Sequence, residues 1–140
     1  MIPDPENLRL AYRKAAKGKL DRKEVIAFRE NFDDNIGKLR DQILGCNLDI
    51  GHYHFFQVFD PKPRSICAAS FPERVLHHAI MNICEPALES YMIYDSYACR
   101  KGKGPQKAVA RARAFSRNAE WYLKLDIRKY FDSIDHNIAM

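Results

Sequence analysis

Apolar positions along the chain recur at helical spacing in its first third and switch to a strict two-residue period from Trp121 to Ile127. Residues from Glu6 to Lys17 have helical composition, and Gly18 closes that segment. Asp21 followed by Glu24 has the form of a capping box. Ile26, Phe28, Phe32, Ile36, Leu39 and Ile43 then recur mostly three or four apart, which predicts one amphipathic helix ending at Gly45. Its apolar stripe fits core packing in a small domain better than a partner surface. His54 to Phe59 and Arg64 to Ser70 are rich in β-branched and aromatic residues and predict two strands, joined by the turn chemistry of Asp60-Pro-Lys-Pro63 into a hairpin with a basic tip.

Phe71-Pro72 opens a further helix from about Glu73 to Cys84, with Leu76, Ala79, Ile80 and Ile83 at helical spacing; Pro86 interrupts it, and a shorter piece runs to about Tyr91. Asp95 to Gly104 reads as loop and Pro105 to Asn118 as helix. From Trp121 to Ile127 the alternation is strict. Trp121, Leu123, Leu125 and Ile127 share a predicted core face, and Tyr122, Lys124 and Asp126 share the other, so this segment is expected to be a strand. Asp135 stands where it would cap a closing helix. Without repeat, low-complexity tract or linker, the pattern predicts a single α+β domain over residues 1–140.

A content of 46% hydrophobic and 29% charged residues over 140 positions fits a soluble globular chain. No apolar run approaches a membrane span, and the N-terminus lacks the basic-then-apolar layout of a signal peptide, so no membrane partner and a cytoplasmic location are expected. Cys46, Cys67, Cys84 and Cys99 match no metal-knuckle spacing and are expected to be buried free thiols. His52 and His54 could share a strand face, but no third ligand stands nearby, and His77 and His78 point to different helix faces; structural roles are expected for these four. The formal net charge of +5 fits a polyanionic partner, and its distribution says more than its size. Arg100, Lys101 and Lys103 crowd one glycine-containing turn, and Lys107, Arg111, Arg113 and Arg117 follow on the next helical segment. The turn is no P-loop, since the Walker spacing is absent.

The stretch Leu-Asp-Ile-Arg-Lys-Tyr-Phe-Asp-Ser-Ile-Asp-His, residues 125–136, resembles motif A of reverse transcriptases of bacterial mobile-element type, the class of group II intron proteins, retrons and diversity-generating elements. Upstream, Asp60-Pro-Lys-Pro-Arg-Ser-Ile66, Arg74-Val-Leu-His-His-Ala-Ile-Met-Asn-Ile-Cys-Glu-Pro86 and Asp95-Ser-Tyr-Ala-Cys-Arg-Lys-Gly-Lys-Gly104 resemble further segments of that family in the family's order. The resemblance implies a helix-rich fingers region with a short β-hairpin over about residues 1–118, and the first palm strand with motif A over about 119–140. It implies synthesis of DNA on an RNA template, from a DNA or RNA primer and deoxynucleoside triphosphates, with Mg²⁺. The family's aromatic-x-Asp-Asp block has no counterpart, so the expectation is a fragment that is inactive by itself.

Residue by residue, the resemblance makes Asp126 the catalytic metal ligand, with the Ile127 carbonyl completing the coordination, and Phe131 the aromatic beneath the nucleotide sugar. Lys62, Arg64 and Arg74 match the basic first motif that reaches the triphosphate, where ammonium and guanidinium groups offset phosphate charge. Arg100, Lys101 and Lys103 resemble the template-facing second motif, in which glycines let a phosphate chain approach the backbone. Asp132 and Asp135 fit turn and cap roles instead. A non-catalytic RNA-binding module would use the same residues. A metal-dependent phosphohydrolase would need further ligands around Asp126 that the sequence does not contain. An unfinished sheet edge would favour self-association.

Overall fold

The computed structural model describes residues 1–130 and 133–139. They form two compact units, Met1–Tyr91 and Met92–Met140. The first begins with α1 (Pro5–Ala16), whose start is set by Asp4: its carboxylate accepts from the Glu6 and Asn7 amides at 2.9 and 3.4 Å, and Pro5 occupies the first turn. Gly18, at φ 71°, turns the chain out of the helix.

The single helix expected up to Gly45 is two helices, α2 (Lys23–Glu30) and α3 (Phe32–Leu44). The break falls at Asn31, with φ −119° and ψ 49°. Asn is comfortable outside helical geometry, and Asp33 and Asp34 sit in the first turn of α3, where negative charge complements the helix dipole. The Asn35 side-chain amide donates to the Phe28 carbonyl at 3.0 Å and satisfies one of the acceptors that the end of α2 exposes. The expected capping box is also absent. Arg22 occupies the N-cap of α2 without a side-chain cap bond, and the Glu24 carboxylate is engaged by Arg74.

Strands β1 (Tyr53–Phe59) and β2 (Pro63–Ala69) pair antiparallel, with His54 opposite Ala68, Phe56 opposite Ile66 and Val58 opposite Arg64. The hairpin matches the sequence expectation, and the fold is of the α+β class. Helix α4 (Phe71–Tyr91) then runs unbroken through Pro86, contrary to the interruption expected there. Proline removes one backbone donor, at the cost of one bond in a long helix; Ala87, Leu88 and Glu89 beyond it are good helix formers that carry the helix on.

What joins α1 to α4 is a buried apolar core with an aromatic centre. Leu8, Val25, Phe71 and Val75 are fully enclosed. The Tyr12 ring meets Phe28, Phe32 and Phe71 at centroid separations of 5.7, 4.8 and 6.0 Å, and Phe28 meets Phe71 edge-on at 5.2 Å. Polar bonds lock the register of α1 on α4: Asn7 donates to the Ala79 carbonyl at 3.1 Å and accepts from Asn82 at 2.9 Å.

The second unit contains α5 (Pro105–Ser116) and α6 (His136–Ala139), the latter preceded by Asp135, whose carboxylate accepts from the Asn137 amide at 2.9 Å. The strand expected at Trp121–Ile127 has no partner, since the β1–β2 hairpin is the one sheet among the described residues. Its expected core face is open: Trp121, Leu123, Leu125 and Ile127 are exposed, as is Tyr122 opposite them. Alternation creates two faces, but a face becomes core only when another element covers it. The cysteines also depart from expectation: all four are free, but Cys46, Cys67 and Cys99 are exposed and Cys84 is half-buried. No helix of the described residues is long and apolar enough to cross a membrane.

Phe71→Ala should remove about 3–5 kcal/mol of stability, because it deletes the ring on which Tyr12 and Phe28 both rest. The same change at the exposed Phe55 should cost less than about 0.5 kcal/mol. Urea denaturation of the two variants beside the parent measures the contrast, and similar losses would remove the aromatic cluster from its central place.

Candidate nucleic-acid interface

In the Met1–Tyr91 unit, the antiparallel register puts His54, Phe56, Val58, Arg64, Ile66 and Ala68 on one face of the hairpin. Tyr53, Phe55, Gln57 and Phe59 occupy the other. Lys62 stands in the turn, which is closed by an Asp60 amide to Lys62 carbonyl bond of 3.4 Å. Lys62 and Arg64 are exposed, so their charges are open to solvent and to any anion.

Arg74 is placed differently. It is half-buried near the start of α4, ion-paired through Nη2 with Glu24 of α2, and its guanidinium lies 5.4 Å from the centroid of the Phe71 ring. Its Nε is buried without a hydrogen-bond partner among the described residues. Arg74 lines a cavity together with His54 and Phe56, the hairpin face that also carries Arg64. Two of the three basic residues singled out by sequence thus relate to one face of the hairpin, and Lys62 marks its tip. The same cavity brings in Lys19 and Arg22, whose signal in the sequence is the basic run Lys17 to Lys23, interrupted by the single acid Asp21.

In the Met92–Met140 unit, the loop before α5 is built on its own cations. Arg100 donates through Nη1 to the carbonyls of Ile93 and Ser96 at 2.8 and 3.2 Å. Lys103 donates to the Tyr94 carbonyl at 2.6 Å and sits 3.6 Å from the Tyr94 ring centroid, while Lys107 donates to the Gly102 carbonyl at 2.6 Å. Arg111 grips Asp95 with two nitrogens, at 2.9 and 3.3 Å, and Tyr97 donates to the same carboxylate at 3.0 Å. Of the three residues in the expected template-facing turn, Arg100 and Lys103 therefore shape the loop, and Lys101 is exposed with no partner among the described residues.

Backbone geometry explains why the glycines are there. Gly102 has φ 73° and Gly104 φ 113° with ψ 173°, a combination open essentially to glycine alone. Gly104 is the N-cap of α5, whose first turn has no acidic residue and no side-chain cap, so the positive end of that helix is uncompensated. From Ser96 to Ala119 the chain has seven basic residues and no acid, bounded by Asp95 and Glu120. Arg113 and Arg117, one helical turn apart, are exposed and unpaired among the described residues.

Asp126 and Ile127 lie in the exposed, unpaired segment, and Phe131 lies outside the described residues. A hard cation such as Mg²⁺ takes several oxygen ligands. No group of three or more His, Cys, Asp or Glu side chains converges among the described residues, so they do not by themselves fit the ion to Asp126. His52, also considered for metal, pairs instead with Asp49 at 2.7 Å; the bond and charge of that carboxylate hold the imidazole pKa above its ordinary value.

No protein-family model matches the chain. Over 70 residues, half of its length, it is 27% identical to nuclear intron maturase 1, a mitochondrial protein of Arabidopsis thaliana, and spans 10% of that protein.

The hydrogen bond from Arg111, and then that from Tyr97 with the charges of Arg111 and Lys103, hold the Asp95 carboxyl below the usual carboxylate range against the opposing effect of desolvation. A depressed folded-state pKa means the Asp95 pairing contributes fully above the unfolded value and is lost as pH falls through the folded one. Carboxyl-carbon NMR titration should give Asp95 a midpoint below that of an ordinary aspartate, moving back up in Arg111→Gln. Coincident midpoints in parent and variant would remove the Arg111 grip.

Proposed function

We propose that this chain binds RNA through the acid-free basic segment around α5, as the fingers-side portion of a maturase-like protein of the reverse-transcriptase lineage. The observation that carries this reading is the run of seven cations without an acid between Asp95 and Glu120, several of them spent on shaping a glycine-built loop and others left open to solvent. Positive charge held in one place attracts a phosphate backbone regardless of sequence. The motif order of the chain and its likeness to an intron maturase support RNA as the polyanion.

Within that reading, Lys62 and Arg64 on the hairpin are suited to the phosphates of a nucleoside triphosphate, and Lys101 to a template strand. Asp126 with the Ile127 carbonyl would contribute one position of a Mg²⁺ site in a polymerase, and Phe131 would meet the sugar. Those polymerase roles require carboxylates that the described residues do not bring to Asp126, so RNA binding is the activity proposed for the chain itself.

The test uses residues that do not hold the loop together. Changing Lys101, Arg113 and Arg117 together to Gln should lower the slope of log affinity against log salt for single-stranded RNA by about 2, since each lost phosphate contact removes roughly 0.7. All three are exposed, so the thermal unfolding curve should stay in place. Superimposable binding curves for parent and variant across salt concentrations would sink the proposal.

A further inference from the structure

Two cavities in the Met1–Tyr91 unit share Lys19 and Arg74. One, of about 310 Å³, opens beneath His54 and Phe56 of the hairpin and is also lined by Arg22. The other, of about 200 Å³, continues past Lys19 and Arg74 to His77 and His78 on α4. Lys19 and Arg74 border both, so the two lie side by side as a basic groove at the surface. Its cations are Lys19, Arg22 and Arg74, against one carboxylate, Glu24, already engaged by Arg74.

The groove is prepared rather than incidental. Backbone bonds fix the turn that carries its two outer cations: the Lys19 amide donates to the Ala16 carbonyl at 2.9 Å and the Arg22 amide to the Lys19 carbonyl at 3.0 Å. The side chains of Lys19 and Arg22 have no hydrogen-bond or ion-pair partner among the described residues. Arg74 adds a buried Nε donor that nothing among the described residues accepts. His78 registers the field: burial first, then the charges of Lys14 and Lys19, hold its imidazole below the ordinary range. Phe56, half exposed at the hairpin end, offers a ring on which a base can stack.

We infer that this groove is a second phosphate track, in which Lys19, Arg22 and Arg74 hold backbone phosphates of a single-stranded RNA beside the hairpin. It rests on the RNA-binding reading above but uses different residues in the other unit. The ligand chemistry is the phosphate oxyanion, which a compact polyphosphate also presents. Cations bordering two neighbouring cavities, with an aromatic lining one of them, favour a strand.

The deciding experiment titrates the full chain with a single-stranded RNA over a series of salt concentrations, and separately with inorganic triphosphate, for the parent and for Lys19→Gln/Arg22→Gln. A phosphate track predicts a slope lower by about 1.4 in the double variant, two contacts at roughly 0.7 each, with unfolding unchanged because both residues are exposed. An unchanged RNA slope in this variant, alongside a lowered slope in the Lys101/Arg113/Arg117 variant, overturns the groove and leaves the RNA-binding reading standing. If triphosphate binding is lost while the RNA slope holds, the groove is a polyphosphate pocket and the strand reading falls. Absence of salt-dependent RNA binding by the parent defeats both.

Discussion

The packing of four aromatic rings from α1, α2, α3 and α4 is the constraint on which the Met1–Tyr91 unit depends. Tyr12 touches three of the rings that Phe28, Phe32 and Phe71 bring from three other helices. Because Phe71 is the first residue of α4 and follows directly on β2 and Ser70, fixing its ring also fixes where the hairpin leaves the helical body. Arg74, one turn further on, is then held over the Phe71 ring and against Glu24. Core packing and the placement of the basic groove are therefore one problem for this sequence.

Positive charge has two uses here, and the structure separates them. Arg100, Lys103, Lys107 and Arg111 donate to carbonyls or to Asp95 within their own loop and helix. Such bonds leave the net charge intact, so the loop is both held together and kept cationic; Asp95 is the acid that offsets part of it. Lys101, Arg113 and Arg117 remain available to a partner. Arginine suits the gripping role because its planar fork matches a carboxylate, whereas the lysines cap single carbonyls. A basic cluster read as a binding surface can thus be partly a scaffold for that surface.

The helices and the hairpin were legible because their signals are local: Gly18 closing a segment of helical composition, a three-to-four period, and Asp60-Pro-Lys-Pro63 between two strand-like runs. Departures from the local pattern have two sources, a contact distant in sequence and a local preference that the apolar stripe conceals. Glu24 looked like half of a capping box, but Arg74, fifty positions away, takes its carboxylate. The single long helix broke at Asn31, where local preference for a non-helical conformation and two following aspartates outweighed an apolar stripe that continues in phase across the break. Trp121–Ile127 has a strand's alternation without a strand's neighbours, and no local pattern reveals whether a covering layer is present. At the candidate site, Arg64 and Arg74 stand out in the sequence as single cations, whereas the position of Lys19 and Arg22 beside the hairpin depends on how the turn after α1 packs.

The exposure of three thiols affects how any association of this chain is to be interpreted. Cys46, Cys67 and Cys99 all face solvent, and accessible thiols form intermolecular disulfides when no reductant is present. Cys67 lies on the same hairpin face as the exposed ring of Phe55, its cross-strand partner, so one patch offers both apolar contact and an accessible sulfur. A dimer of this chain that survives in air and dissolves under thiol reductant is covalent chemistry, and one that persists under reductant is molecular recognition.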